Sequence, residues 1–266
     1  MNENVLSIEK RSSINGTFWK KRFINDDEAS NQSSDSKLNN ILETILYGRN
    51  LKKEDFDDFL DPKVNNLLID PSELVDMDIG IKEIILAMVE NKKIGIIGDY
   101  DVDGTTSSSL LVNFFDHYQI NSDVYIPNRL KDGYGPNIYA FEKFIEKGID
   151  TVITVDCGST SIEPLEYAYQ SGIKVIIIDH HKVDTILPKC FAHINPTRKD
   201  DESNLKHLAA VGLTFLFIIA LRRSLRAIKK FNKIKEPNLK KYLDVVALGT
   251  VCDVVQLKSL NRAFVK

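Results

Sequence analysis

The sequence lacks several things that would place it quickly. Its 266 residues contain no apolar run near the roughly 18 to 20 residues that span a bilayer; the longest, Val211 to Leu221, reads as a buried helix. The amino terminus, MNENVLSIEKR, has no basic stretch followed by an apolar segment and a small-residue cleavage site, so a cytoplasmic location and no membrane association are expected. Only three cysteines occur, Cys157, Cys190 and Cys252, without CxxC spacing, which excludes a disulfide framework or a thiolate zinc site as the organising element. Excess positive charge is also missing: the net charge of -3 does not suit a protein that coats nucleic acid by bulk electrostatics, so any such contact must be local. No lysine follows a glycine-rich loop at GxxxxGK spacing, which argues against nucleotide binding of that type.

What is present has a clear order. Asn25 to Ser36 is acidic and serine-rich with almost no apolar side chains, and reads as a surface linker. Two helical patterns run from Lys37 to about Leu60. Asp70-Pro71-Ser72-Glu73 then carries a cap, a first-turn proline and a capping-box acid ahead of the apolar stretch Ile79 to Val89. A mostly helical region over 1-75 is therefore expected before a larger domain over 76-266.

From there short apolar runs alternate with helical periods: Ile94 to Ile97, Val124 to Ile126, Val152 to Val155 and Val175 to Ile178, with a last strand signal near Ala192 to Asn195. Starts spaced by 23 to 30 residues with a helix between them predict βαβ units and an α/β fold built on a doubly wound parallel sheet. A helical stretch from His207 to about Leu248 closes the domain.

Ligands of open parallel sheets gather beyond the carboxyl ends of the strands. Three of those ends are acidic here: the first runs into Asp99, Asp101 and Asp103, the third into Asp156-Cys157-Gly158, and the fourth into Asp179-His180-His181. Asp253, after an expected helix end at Gly249, is placed to close the site from the other side. So many carboxylates at one edge repel one another unless cations neutralise them. Oxygen and imidazole donors suit manganese, or magnesium, and two ions would support phosphodiester hydrolysis. Gly104 and Gly158 offer backbone that a substrate phosphate can approach, and Thr105, Thr106 and Ser107 are expected to open a helix whose amino end favours anions. A lone aspartate after a strand is more often a cap or turn residue, but several such positions beside a consecutive His-His pair form a constellation.

GDYDVDG, VDCG, Asp179-His180-His181 and GTVCDVVQL together resemble the four motifs of the DHH phosphoesterase superfamily, in the family's order. FLDPKVNNLLIDPSELVDMD, the IPNRLKDGYG loop and HINPTRKDD extend the resemblance to its RecJ exonucleases, over nearly everything from Ile41 onward. This resemblance implies a single-strand-specific 5′-to-3′ DNA exonuclease of DNA repair and recombination. It implies two manganese or magnesium ions held by Asp101, Asp103, Asp156, His180 and Asp253, with Asp156 bridging. Asp99 would be a ligand or stand behind the ligands, and His181 would touch the scissile phosphate. Some superfamily members carry a histidine where Ile97 stands here. RecJ proteins continue into a further domain after the fourth motif, so the chain is expected to be truncated, with the missing carboxy-terminal half a candidate partner chain. Two other readings stay open: a DHH phosphatase of short oligonucleotides or dinucleotides, and an inactive metal-binding fragment.

For nucleic-acid contact, Arg129 and Tyr134 in the loop before Gly135 supply a cation and an aromatic near a strand end, as stacking of an unpaired base needs. The basic segment Arg222 to Lys241, around Phe231, is read first as a solvated helix face and second as a phosphate-tracking surface. Phe18, Trp19 and Phe23 are read as packing an arm rather than binding a ligand.

Overall fold

Strand order decides where a parallel α/β domain can build a site, and here it reverses once. The computed structural model describes residues 12–17, 37–229 and 233–266. The expected linker, the aromatics Phe18, Trp19 and Phe23, and Phe231 of the basic segment lie outside them. The chain divides into two compact units, Met1–Asp61 and Pro62–Lys266.

In the first unit, α1 (Lys37–Tyr47) is followed by a 3-10 turn over Lys53–Asp55 that leads into α2 (Phe56–Leu60). The rings of Tyr47 and Phe56 meet edge to face at 5.1 Å.

The second unit begins with α3 (Val64–Leu67) and then α4 (Met77–Val89). The cap signals at Asp70-Pro71 serve a separate 3-10 turn, Pro71–Glu73, in which Asp70 accepts from the Ser72 amide at 2.9 Å. The long helix starts only after Asp76, whose left-handed backbone (φ 63°) breaks the chain direction. Asp70 and Ser72 bond Arg223, and Asp76 bonds Arg198, so these residues belong to the larger unit and its edge falls earlier than 75/76.

The strands are β1 (Ile94–Gly98), β2 (Ser122–Tyr125), β3 (Thr151–Val155), β4 (Lys174–Ile178) and β5 (Ala192–Ile194). Between them run α5 (Val102–His117), α6 (Ile138–Glu146) and α7 (Ile162–Gln170). All pair in parallel in the order β2-β1-β3-β4-β5. Side chains alternate across the sheet with period two. Ile94, Ile96, Ile153, Val155, Ile176 and Ile178 face α4, α5 and α8 (Ala210–Leu225), whereas Ile97, Val152, Val175 and Ile177 face Phe141 and Phe144 of α6 and Leu165 of α7. Both faces are covered, which makes the sheet doubly wound, and the order reverses between β1 and β3. That reversal opens the crevice in which such sheets bind ligands.

The apolar run Val211 to Leu221 lies within α8 and is buried except for the partly exposed Ile219. Among the described residues no helix is long and apolar enough to cross a membrane. The expected helical stretch from His207 to Leu248 is broken: after α8, Pro237 cannot extend a helix, Asn238 caps a 3-10 turn over Leu239–Tyr242, and α9 (Leu243–Cys252) follows. The final helix, α10 (Ser259–Val265), packs on α9 and α3. Gly249 does not end a helix as expected. It sits inside α9, where a Cβ would lie 2.4 Å from the Thr106 hydroxyl and 2.8 Å from Val211, so the missing side chain lets α9 close on α5 and α8.

Candidate metal centre

Each acidic strand end continues its strand's own hydrogen-bond ladder for one more residue. The amides of Asp99, Asp156 and Asp179 donate to Val155, Ile178 and Ile194, which sets the three acids side by side at the carboxyl edge. Asp156 takes up a left-handed backbone (φ 61°), a conformation that costs a non-glycine residue about 1 kcal/mol or more and collects at functional sites.

The turn after β1 delivers two more carboxylates. Asp101 caps α5 by accepting from the Gly104 amide at 3.0 Å, and Asp103 lies buried in the first turn. The helix therefore opens three residues before Thr105, because Asp101 supplies the cap. Asp103 also accepts from the amides of Ala210 and Val211 at 2.7 and 2.8 Å, which docks the amino end of α8 against α5. Asp253 follows the last residue of α9 and arrives from the other side.

These groups form three overlapping clusters: Asp99 with Asp101 and Asp156, Asp103 with His180 and Asp253, and Asp156 with His180 and His181. Within each, the candidate ligand atoms lie inside 4.8 Å of one another. The Nε2 of His180 is 3.3 Å from Asp156, 3.7 Å from Asp253 and 3.8 Å from Asp103. All six metal ligands expected from the sequence, together with His181, are thus brought together.

The electrostatics are those of carboxylates crowded together in a buried site. Burial, then the charges of Asp103 and Asp101, push Asp156 up to about 11. Burial pushes Asp103 up to about 6 and raises Asp99 and Asp253 as well. Asp99 Oδ1, Asp156 Oδ1, His180 Nε2 and Asp253 Oδ2 are buried without a hydrogen-bond partner. Buried polar atoms are nearly always bonded, and four orphans converging from four segments, three oxygens and one imidazole nitrogen, fit a divalent ion of the manganese type.

Asp179 has a different job, which sequence reasoning missed although the residue stood in the string. It is buried and accepts from the amides of His180, His181 and Ser159 and from His181 Nδ1 at 2.8 Å. Burial works to raise its pKa, but the hydrogen bond and charge of His181 and the bond to Ser159 outweigh it, so the pKa falls. The same hydrogen bond raises His181 above its ordinary value. His181 is thereby fixed through Nδ1.

The glycines have packing reasons of their own. A Cβ on Gly104 would lie 2.5 Å from the Asp99 backbone, and one on Gly158 (φ +112°) would lie 2.7 Å from the Thr154 hydroxyl. Thr105 is exposed on the first turns of α5, with its amide bonded to the Asp101 carbonyl at 3.0 Å. Arg129 lies over the ring of Tyr100 at 5.3 Å; Tyr100 meets Tyr134 at 6.5 Å and Tyr134 meets His181 at 5.8 Å, a continuous row leading away from the acids. The Tyr134 hydroxyl donates to the Asp156 carbonyl at 2.9 Å. Tyr100 is a second residue that the sequence motifs did not single out; its place between Asp99 and Asp101 was the signal.

The three arginines of the basic segment are engaged. Arg223 bonds Asp70 and Ser72, Arg226 bonds Glu236 through two nitrogens, and Arg222 bonds the Pro237 carbonyl. Lys235 meets His117 at the far end of α5, about 24 Å along that helix from the acids.

The DHH family, N-terminal domain, matches residues 93–250, which include the strand-end acids and stop just short of Asp253. This chain belongs to the DHH family. It is 35% identical over 196 residues to the single-stranded-DNA-specific exonuclease RecJ of Haemophilus influenzae, covering 73% of this chain and 34% of that protein. It is 41% identical over 179 residues to the RecJ of Escherichia coli, covering 66% and 31%. A crystal structure of exonuclease RecJ bound to manganese superposes with a TM-score of 0.63 at 30% identity, covering 75% of this chain and 47% of that one. RecJ from Thermus thermophilus in complex with Mn2+ gives 0.64 at 27%, covering 83% and 29%. The DHH chain thus spans about a third of the length of the curated relatives it matches.

Proposed function

We propose that this chain carries the catalytic centre of a single-strand-specific DNA exonuclease, which hydrolyses phosphodiesters with two divalent ions, manganese or magnesium, in DNA repair and recombination. Asp103, His180 and Asp253 would hold one ion and Asp99 and Asp101 the other, with Asp156 shared. The observation that carries the reading is the overlap of the clusters at Asp156 and His180, whose facing atoms are buried and unbonded. When bound, such an ion pair lowers the pKa of a water and offsets charge on the phosphate.

The chain's own residues supply the rest. His181, locked by Asp179, directs Nε2 toward a non-bridging phosphate oxygen. Arg129 is held in place by Tyr100, and with Tyr134 it forms a surface on which an unpaired base can lie while the guanidinium meets a phosphate. The preference for single strands is carried over from the RecJ relatives, and the 5′-to-3′ direction is implied by the family resemblance of the motifs.

The test is manganese-dependent release of nucleotides from end-labelled single-stranded DNA by the purified chain, beside Asp156→Ala and a duplex substrate. Release that needs both manganese and Asp156 and spares duplex is expected. Hydrolysis confined to dinucleotides would assign the chain to the short-substrate phosphatases of the superfamily. Tight manganese binding with no hydrolysis of either substrate would make it a metal-binding fragment.

A further inference from the structure

Behind the candidate centre lies a polar cluster that touches none of the candidate ligands' facing atoms. β5 ends at Ile194 and runs into Asn195-Pro196-Thr197, the middle of the HINPTRKDD segment. Asn195 is wholly buried, and Ser159 and His193 are nearly so. A buried amide is costly unless its bonding capacity is met, and that of Asn195 is. Its Nδ2 has two protons, one directed at Ser159 Oγ and one at the His181 carbonyl, each at 2.9 Å. Its Oδ1 accepts from the Thr197 amide at 2.8 Å. The Thr197 hydroxyl lies 2.8 Å from both that oxygen and the His181 carbonyl.

The directions of these bonds follow from the donors. Ser159 Oγ receives the Asn195 proton and also lies 2.8 Å from His193 Nε2. The Ser159 amide donates to Asp179 at 3.1 Å. His181 is therefore held at both ends: Asp179 takes its amide and ring Nδ1, and Asn195 with Thr197 takes its carbonyl. Ser159 bridges the two holders.

We propose that Asn195 is a positioning residue for His181, fixing the peptide that carries the imidazole while Asp179 fixes the ring. Its effect on turnover rests on the phosphodiesterase reading above; its effect on the imidazole does not. Removing the amide leaves the His181 carbonyl to Thr197 alone and Ser159 without its donor, so the peptide is held less firmly, the ring samples several positions and fewer encounters find Nε2 aligned with the phosphate.

The test uses the full chain labelled with 15N-histidine, without metal, in which the His181 ring signals are identified by their loss in His181→Ala. In folded Asn195→Ala, those signals are expected to shift or broaden while those of His117 and His207 stay in place. Manganese affinity should change by no more than about threefold, and kcat for nucleotide release should fall about 10- to 100-fold with KM within about twofold, the scale of losses when groups behind metal ligands are removed. Should Asn195→Ala fail to fold, Thr197→Val takes its place, with Thr197→Ser restoring the wild-type signals. Wild-type His181 signals in the folded Asn195→Ala or Thr197→Val protein would overturn the proposal. If the wild-type chain releases no nucleotide, the exonuclease reading falls and the imidazole signals alone decide the positioning role.

Discussion

The Nε2 of His180 stands 3.3 Å from Oδ1 of Asp156, and neither atom has a hydrogen-bond partner. Asp156 directly follows β3 and His180 stands two residues past the neighbouring β4, so the paired strand ends deliver them to each other. The pair is costly without a cation and useful with one, and that contrast has measurable consequences.

The first concerns protons. Burial and the neighbouring Asp103 and Asp101 push Asp156 up to about 11, so at neutral pH the metal-free protein holds a proton that a cation must displace. Calorimetric titration with manganese at pH 7 in buffers of differing ionisation enthalpy should report release of about one proton. The release should be absent in Asp156→Asn, and uptake or no exchange in the wild type would contradict the assignment.

The second concerns stability against pH. Burial raises Asp103 from 3.8 to about 6 in the folded state. A carboxyl whose folded pKa is raised binds its proton more tightly in the native state. Its contribution is fully present below about 3.8 and is lost as pH rises through about 6. The metal-free protein should therefore lose stability, on the order of 1.5 kcal/mol, between pH 5 and 7.5. Thermal melts should show Tm falling across that window, a smaller fall in Asp103→Asn, and a rise on adding manganese that grows with pH.

A third prediction tests the packing that aims Asp253. Gly249→Ala places a methyl group against Thr106 and Val211, and should cost about 2 kcal/mol. Because Asp253 directly follows α9, the displaced helix should also weaken manganese binding severalfold. Unchanged Tm and affinity would mean that α9 has room to spare.

The fourth separates substrate grip from chemistry. Arg129→Ala removes the cation stacked on Tyr100, and should raise KM for single-stranded DNA about tenfold with kcat nearly unchanged, while lowering the slope of affinity against salt by about one. A fall in kcat at constant KM would place Arg129 with the reacting groups instead.

Much of this was legible in the chain. The buried strands β1, β3 and β4 read as continuous apolar runs, and the acids that end them stood out as the first charged residues after each run, whereas half-exposed β2 starts at Ser122, two residues before its expected Val124. The unread parts depend on partners far away in sequence. Asp179 looks like its neighbouring ligands until its bonds to His181 and Ser159 are seen, and Gly104 looks like a phosphate-approach glycine and Gly249 like a helix end until the Asp99 backbone and Thr106 are found against them. The start of α4 was misplaced because the left-handed turn at Asp76 leaves no pattern in its side chains. The engagement of Arg222, Arg223 and Arg226 depends on acids and carbonyls brought to them by folding.

The most direct measurement is the manganese stoichiometry of the 266-residue chain, by calorimetry and by electron paramagnetic resonance, beside Asp156→Asn and His180→Ala. Two ions per chain with a spectrum broadened by their mutual coupling, reduced to one or none by Asp156→Asn, is the predicted result. A chain that binds no manganese at millimolar concentration, or binds it equally well without Asp156, would contradict a shared-carboxylate centre.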